Sequence, residues 1–289
     1  MLDNRLALSS WSLHRLLGPL RWTIWDEQNR TQATAEQPQP QEIDLLDLPH
    51  VVKERGFHYL ELCHFHFPST DDAYAAKLKQ AFSDASVQFH TLLVDYGDIS
   101  SPDEQRRQSD IAFLRRWLDI AAKAGAAAVR VIAGEQAADD ADARQRSSEA
   151  LALLREYGEA QGVKVVTENF RELTATIDSW RRLMNSLPPS VATIVDFGNL
   201  LPEERDTGVA YGAPLAHSIH AKPLYRADGT IDKEDFDRLL SIVADKSDRA
   251  PITVIFDQDG EMWEGISDIQ ACIRSFGRDK NESDGASAD

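Results

Sequence analysis

Cysteine is scarce in this chain, and long hydrophobic runs are missing. Only Cys63 and Cys272 occur among 289 residues, and neither belongs to a CxxC motif. Isolated cysteines in a chain of this length are typical of a reducing compartment with both thiols free. No apolar run reaches the roughly 18 residues of a membrane-spanning helix. The N-terminal segment carries Asp3 and lacks the apolar core of a secretory signal. We therefore expect a cytoplasmic protein with no membrane partner.

Basic residues are in the minority. Lys and Arg number 31 against 48 Asp and Glu, which gives a formal net charge of −17. Nucleic acids and anionic membranes need a basic surface, so neither is expected as a partner. The chain also lacks GxGxxG, GxxxxGK[ST] and GxSxG, so it carries no motif for a nucleotide phosphate loop or a serine nucleophile.

Eight short apolar segments alternate with helix-like segments along the chain. This alternation predicts parallel strands joined by right-handed crossovers. Eight units favour an α/β fold that closes into a single-domain (β/α)8 TIM barrel, which usually takes about 250 residues. An open doubly wound sheet is the alternative. The predicted strands are Arg5–Ser10, His58–Cys63, Gln88–Val94, Ala127–Ala133, Val163–Glu168, Ala192–Asp196, His217–Ala221 and Ile252–Asp257.

Two polar segments interrupt this rhythm. Residues 28–41 are polar and contain two prolines, so we predict a long loop over about residues 21–41. Residues 277–289 are polar as well and predict a disordered tail, which leaves residues 1–276 for the barrel. The long loop could cover a pocket or contact a second subunit, so a homodimer stays open.

The last four predicted strands each end on a residue that can bind a metal, namely Glu168, Asp196, His220 and Asp257. In a TIM barrel the carboxyl ends of all strands face one mouth, where active sites lie. Three carboxylates and one imidazole suit Mn²⁺, Mg²⁺ or Co²⁺, with Zn²⁺ as an alternative. Each residue alone is equally well explained as a strand cap or a surface carboxylate. Four in succession predict a site for one divalent metal ion.

The longest motifs of the chain resemble one enzyme family. The segments IVDFGNL, SIHAKPLYRADG and ITVIFDQDGE resemble the sugar phosphate isomerase/epimerase family of the xylose isomerase-like TIM barrel superfamily. The resemblance extends upstream through GFHYLELCHFHFPS, LLVDYGDIS, VRVIAGE and VVTENF, and so covers nearly the whole barrel. It implies one divalent ion bound at the ends of the last four strands. Asp257 stands where the family has Glu, so its carboxylate reaches less far.

The resemblance also implies residues that contact the substrate. Arg226, six residues after His220, matches a substrate-contacting arginine of the family. Asn199 stands where the family's epimerases carry a histidine, and it can hydrogen-bond a hydroxyl but cannot titrate. Lys222 adds a second cation at the same rim.

These residue types favour proton abstraction next to a metal-polarised carbonyl. We expect Glu168 and Asp257 to be the catalytic carboxylates, and Lys222 and Arg226 to counter the developing negative charge. The predicted reaction is isomerisation or epimerisation of a sugar or polyol derivative through an enediolate. The alternatives are an inosose-type dehydratase and a non-catalytic sugar-binding or partner subunit. A DNA-repair endonuclease of the superfamily would need many histidines, whereas the chain has eight.

Five further side chains are pocket candidates, and each has a structural alternative. His64 and His66 form an HxH pair after the second strand, which predicts substrate contact, a structural role or a second metal site. Glu61 lies either in the pocket or in an internal ion pair. Trp11 and His14 follow the first strand, where aromatic rings stack on sugars as often as they belong to a core.

Charged residues near the predicted mouth have positioning roles. Arg130 lies inside a predicted strand and needs an acidic partner, so we expect it to orient a metal-binding carboxylate through Glu168 or Glu61. Asp95 and Asp98 are interpreted as loop caps.

Overall fold

The computed structural model describes residues 2–247 and 249–286, and within them it contains ten strands and eight α-helices. In chain order these are β1 (Leu6–Ser9), β2 (Leu20–Asp26), β3 (Thr31–Gln37), α1 (Leu48–Glu54), β4 (Tyr59–Cys63), α2 (Asp72–Ala85), β5 (Gln88–Val94), α3 (Glu104–Ala124), β6 (Ala128–Val131), α4 (Ala141–Ala160), β7 (Lys164–Glu168), α5 (Ile177–Ser186), β8 (Ala192–Asp196), α6 (Arg205–Gly212), β9 (Ala216–Ala221), α7 (Lys233–Lys246), β10 (Ile252–Val254) and α8 (Met262–Ala286).

Eight of the strands close into a parallel barrel in the order β1-β10-β9-β8-β7-β6-β5-β4. Helices separate consecutive barrel strands, and their apolar faces pack with the outer faces of the strands into one large core. This confirms the predicted single-domain (β/α)8 TIM barrel. Within the described residues, no helix combines the length and the apolar composition that crossing a membrane requires.

Helix α3 illustrates how local sequence signals fix the elements around the barrel. The Asp103 side chain caps its N-terminus by accepting hydrogen bonds from two backbone N–H groups. Leu114, Leu118 and Ala121 form a buried stripe at helical spacing. Gly125 ends the helix in the left-handed conformation, with φ of 80°, which glycine adopts without steric cost.

The segment predicted as a long loop is instead a β-hairpin, so that prediction is wrong. Strands β2 and β3 pair antiparallel over seven residues each, from Leu20↔Gln37 to Asp26↔Thr31. Aromatic and β-branched residues in LRWTIWD favour a strand, and the polar residues between the two strands form the turn. The two prolines that suggested a loop lie beyond the end of β3.

The C-terminal part differs from the prediction at two places. Strand β10 ends at Val254, so residues 255–257 run on as a loop and carry Asp257 beyond the strand. Helix α8 continues to Ala286, which places most of the predicted disordered tail in a helix. No proline interrupts that helix. Residues 287–289 of the predicted tail lie outside the described residues.

Candidate active site

The ends of β7, β8 and β9 bring Glu168, Asp196 and His220 together. Potential ligand atoms of the three side chains lie within 4.8 Å of one another, and all three side chains are buried. Asp196 and His220 are register partners on adjacent parallel strands. His220 Nδ1 lies 3.5 Å from Glu168 Oε1 and 3.6 Å from Asp196 Oδ2. Three of the four predicted metal ligands therefore face a common centre.

The other ring nitrogen of His220 points to Glu61. His220 Nε2 lies 2.7 Å from Glu61 Oε2. The remaining Glu61 oxygen, Oε1, accepts hydrogen bonds from Thr91 Oγ1 at 3.0 Å and Ser218 Oγ at 2.8 Å. Burial alone would raise the pKa of Glu61, but the charge of His220 and these hydrogen bonds lower it. An ionised Glu61 holds the proton on Nε2 and leaves Nδ1 directed at the carboxylates of the cluster.

The charge distribution of the cluster suits a cation. Burial would lower the pKa of His220, but Glu61, Asp196 and Glu168 outweigh it and raise the pKa well above its ordinary value. The same field that favours a proton on Nδ1 favours a divalent cation next to it. Two carboxylates and one imidazole are ordinary ligands for such an ion. The residues present therefore fit a metal site.

Arg130 and Asn199 orient the Glu168 carboxylate. Arg130 Nε lies 3.1 Å from Glu168 Oε2, and its Nη2 is hydrogen-bonded to Asp95. Asn199 Nδ2 donates to Glu168 Oε1 at 3.4 Å. The prediction that Arg130 pairs with Glu168 is therefore confirmed. Asp95, interpreted from the sequence as a loop cap, is instead the second acidic partner of Arg130.

Asp257 lies outside the three-residue cluster. Its carboxylate is paired with the Lys222 ammonium group, and its other oxygen accepts from Gln258 Nε2 at 3.0 Å. Partial burial opposes the Lys222 charge, but the carboxylates of Asp196, Asp257 and Glu168 raise its pKa. Asp257 is displaced because β10 ends three residues before it. The structure therefore does not bring Asp257 into the ligand group expected from the sequence.

A cavity of about 290 Å³ opens above the cluster at the barrel mouth. Glu168, Asp196 and His220 line it together with Asp257 and three of the residues expected to bind substrate, Trp11, Asn199 and Lys222. Gly198 makes this arrangement sterically feasible, because a Cβ at that position would lie 2.5 Å from Lys222 Cδ. The volume is near the lower end of the range for small-molecule sites, roughly 300–1,000 Å³.

A comparison with known protein families identifies the family of this chain. The model of the xylose isomerase-like TIM barrel family matches residues 49–274. The chain belongs to this family. No curated protein sequence matches the chain.

Solved structures show the same fold at low sequence identity. The chain is similar to apo 3-keto-D-glucoside 4-epimerase YcjR from E. coli, with 20% identity, a TM-score of 0.62 and coverage of 80% of this chain and 94% of that one. The probable 3-DHS dehydratase AsbF from Bacillus anthracis has 15% identity and a TM-score of 0.68, with coverage of 92% of this chain and 97% of that one. A xylose isomerase-like TIM barrel protein from Mycobacterium smegmatis in complex with magnesium has 15% identity and a TM-score of 0.62, with coverage of 80% of this chain and 87% of that one.

Within this xylose isomerase-like barrel, the HxH pair is buried and does not line the cavity. His64 Nδ1 accepts from the Asp95 backbone N–H at 3.1 Å, and His64 Nε2 lies 3.2 Å from Thr23 Oγ1 on the hairpin. His66 Nδ1 lies 2.9 Å from Ser10 Oγ. These three contacts connect the HxH pair to neighbouring elements, which is the structural role left open by the sequence. Substrate contact by His64 and His66 remains a prediction from the sequence.

Three other pocket candidates also lie off the cavity. Glu61 is fully buried beneath His220 and forms an internal ion pair with it. This is the second of the two positions that the sequence allowed for Glu61. His14 stacks on Trp11, with ring centroids 4.2 Å apart, and its Nδ1 donates to the Trp11 carbonyl. Arg226 is exposed and pairs with Asp232 at 3.3 Å. It turns away because residues 225–231 form their own tight turn.

Several lining residues were missed by sequence reasoning. These are the aromatic and cationic side chains Trp22, Phe65, Phe170 and Arg171. Trp22 was hidden by the loop interpretation of the hairpin. Phe170 and Arg171 directly follow VVTEN at the end of β7, so their position after a ligand-bearing strand was the available signal. Cys63 also lines the cavity, but burial raises the pKa of its thiol, which disfavours the reactive thiolate.

Proposed function

We propose that this protein is a divalent-metal-dependent isomerase or epimerase of a sugar or sugar derivative. One observation carries the proposal, namely that Glu168, Asp196 and His220 converge beneath a cavity that Arg130 and Lys222 also reach. The chain's membership of the xylose isomerase-like TIM barrel family supports the proposal, as does its similarity to a 3-keto-D-glucoside 4-epimerase. The cytoplasmic location and the homodimer remain predictions from the sequence.

Glu168, Asp196 and His220 would hold the metal ion. A divalent cation in this position supplies Lewis-acid polarisation of the substrate carbonyl. Mn²⁺, Mg²⁺ and Co²⁺ remain the predicted ions, and the magnesium complex of the similar Mycobacterium smegmatis protein is consistent with them.

Glu168 is the proposed base. Its carboxylate takes the proton from the hydroxyl-bearing carbon next to the carbonyl; the electron pair of the broken C–H bond forms a C=C bond, and the π pair of the C=O bond moves to the carbonyl oxygen to give an enediolate. Arg130 and Asn199 fix the orientation of that carboxylate before the reaction. Preorganised contacts of this kind are effective because they need no rearrangement during the proton transfer.

Lys222 and Asp257 form an ion pair that lines the cavity apart from Glu168. The Lys222 ammonium group lines the cavity and would stabilise negative charge on the enediolate oxygens. For this step Asp257 would take a proton from solvent, which releases Lys222 from their ion pair, and would pass that proton to carbon; delivery to the face opposite Glu168 inverts the centre. Arg226 is left out of this proposal because it is exposed and paired with Asp232.

The test is solvent hydrogen exchange. The metal-loaded protein is incubated in D₂O with keto-sugars and keto-inositols, and deuterium uptake next to the carbonyl is followed by NMR. We expect exchange that stops after chelation and returns with metal. Glu168→Gln should lower the rate by about 10²–10⁴, whereas Glu172→Gln, which alters an exposed residue four positions later, should not change it. Near-native exchange in the Glu168→Gln protein would overturn the assignment of the base.

A dehydratase of the same class is the second candidate. The similarity to the probable 3-DHS dehydratase AsbF, over 92% of this chain, favours it. The same base and charge-stabilising groups would serve, but a β-hydroxyl would leave after proton abstraction. In the D₂O experiment, exchange without loss of water indicates the isomerase, and loss of water indicates the dehydratase.

A further inference from the structure

Three aromatic side chains form one wall of the cavity, which we call the aromatic wall and define as Trp11, Trp22 and Phe65. The ring centroids of Trp22 and Phe65 are 4.2 Å apart, and Trp11 lies 6.4 Å from Trp22 and 6.1 Å from Phe65. Phe65 is buried, whereas the two indoles are partly exposed. His14 stacks on one face of Trp11. The indole surface that remains accessible lines the cavity.

The aromatic wall stands across the barrel mouth from the carboxylate cluster. Trp11 follows β1 and Phe65 follows β4, whereas Glu168 and Asp196 end β7 and β8. In the closed order of eight strands, β1 is four positions from β7, and β4 is four positions from β8. Four positions in a ring of eight is the diametrically opposite side. A molecule in the cavity therefore has the Glu168 and Asp196 carboxylates on one side and the indole rings on the other, with His220 of β9 between them.

The hairpin that carries Trp22 is fastened to the barrel and not left free at its surface. Thr23 Oγ1 contacts buried His64 at 3.2 Å, and Gln32 Nε2 donates to buried Asp110 at 3.0 Å. Arg30 pairs with Asp103 at the start of α3. The Trp22 indole N–H donates to Gln37 Oε1 at 3.1 Å, across the hairpin. These contacts fix the ring in place before any substrate binds.

We infer that the substrate reacts as a closed ring that lies flat against the aromatic wall, such as a keto-pyranoside or a keto-cyclitol. A saturated six-membered ring with equatorial hydroxyls presents patches of axial C–H on both faces, which pack on an indole. An open-chain ketose exposes hydroxyls on all sides and offers no such face. The inference rests on the proposed function, because the ring must carry the ketone that Glu168 enolises.

The test measures binding separately from turnover. Binding of methyl β-D-glucopyranoside, a closed ring, and of D-sorbitol, its open-chain counterpart in size, is measured on the metal-loaded full chain by saturation-transfer NMR titration. We expect the ring to bind about tenfold more tightly. Trp22→Leu should weaken ring binding by about fivefold and leave sorbitol unchanged. Trp25→Leu is the matched control, since it removes an indole from the same hairpin outside the cavity.

The turnover arm uses deuterium exchange in D₂O. A 3-keto-glucoside is compared with erythrulose, a ketose too short to close a ring. Trp22→Leu should lower kcat/KM for the keto ring about fivefold more than for erythrulose. Equal binding of ring and chain, or equal effects of Trp22→Leu on both, would overturn the inference while exchange still supports the proposed function. If ring binding depends on Trp22 but neither ketone exchanges deuterium, the preference for a closed ring is supported and the proposed isomerase function is wrong.

Discussion

Glu61 Oε2 lies 2.7 Å from His220 Nε2, so a buried carboxylate sets the orientation of the imidazole in the carboxylate cluster. The lining of the cavity does not reveal this role of Glu61, because Glu61 is not part of it. The contact predicts that Glu61 acts through His220. Glu61→Gln should weaken metal binding by about 10- to 100-fold, as expected for loss of a partner behind a metal-binding histidine.

Isothermal titration calorimetry measures the loss of metal affinity: Mn²⁺ is titrated into protein from which a chelator has removed the metal. Glu149→Gln, on an exposed position of α4, is the control and should bind the metal as the unaltered protein does. Metal affinity in Glu61→Gln equal to that of the control would mean that the carboxylate has no part in holding His220.

The separation of Asp257 from the cluster predicts that metal binding and turnover can be uncoupled. Asp196→Asn should lower metal affinity by about tenfold or more, because it removes a clustered carboxylate. Asp257→Asn should keep metal affinity within about threefold, because its partner is Lys222, and should keep exchange through Glu168 while losing formation of the inverted product. Metal titration, deuterium exchange and NMR detection of the inverted product on the same samples check these effects. An equal loss of metal in the two variants would make Asp257 a fourth ligand after all.

The barrel and the convergence of Glu168, Asp196 and His220 were predictable because they depend on local patterns. Buried parallel strands appear as short β-branched runs, and their carboxyl ends share one rim whatever the connecting helices do. The position of Asp257 was not predictable, because it depends on where β10 stops pairing with its neighbours. The hairpin was hidden because its strands depend on contacts with α3 and the β4 end, such as Thr23 with His64. Arg226 was misplaced because a tight turn directs it outward.

The buried HxH pair predicts that the protein loses stability in mild acid. Burial, together with the charges of neighbouring His14, His64 and Arg21, lowers the pKa of His66 to about 3. The unfolded chain takes up this proton near pH 6.5, whereas the folded chain does not, so stability falls as the pH falls from about 6.5 towards 3. The loss is about 1.4 kcal/mol per pH unit for one such histidine.

Urea unfolding between pH 7 and pH 5 measures this slope. His66→Gln should make the slope shallower by about 1 kcal/mol per pH unit on average over this range, because the unfolded-state pKa of about 6.5 lies inside it. Leu153→Gln, at an exposed position of α4 that carries no titratable group, is the control and should leave the slope unchanged. An unchanged slope in His66→Gln would show that His66 titrates alike in the folded and unfolded chain.

Arg171 predicts a trade-off between stability and substrate binding. It lines the cavity with its guanidinium 4.8 Å from the Phe170 ring, yet its backbone has φ of 70° and ψ of 176°, a region essentially confined to glycine. Arg171→Gly should raise the free energy of unfolding by about 1 kcal/mol by relieving this strain, and should raise KM several-fold by removing a cation from the cavity.

Ser86 provides the comparison for Arg171, because it also has positive φ, of 52°, at the C-terminus of α2. Ser86→Gly should stabilise the fold in the same way and leave KM unchanged, since Ser86 does not line the cavity. Thermal unfolding and the exchange assay together give both quantities. If Arg171→Gly stabilises the protein and leaves KM unaltered, the Arg171 side chain does not contribute to substrate binding, and that part of the prediction is wrong.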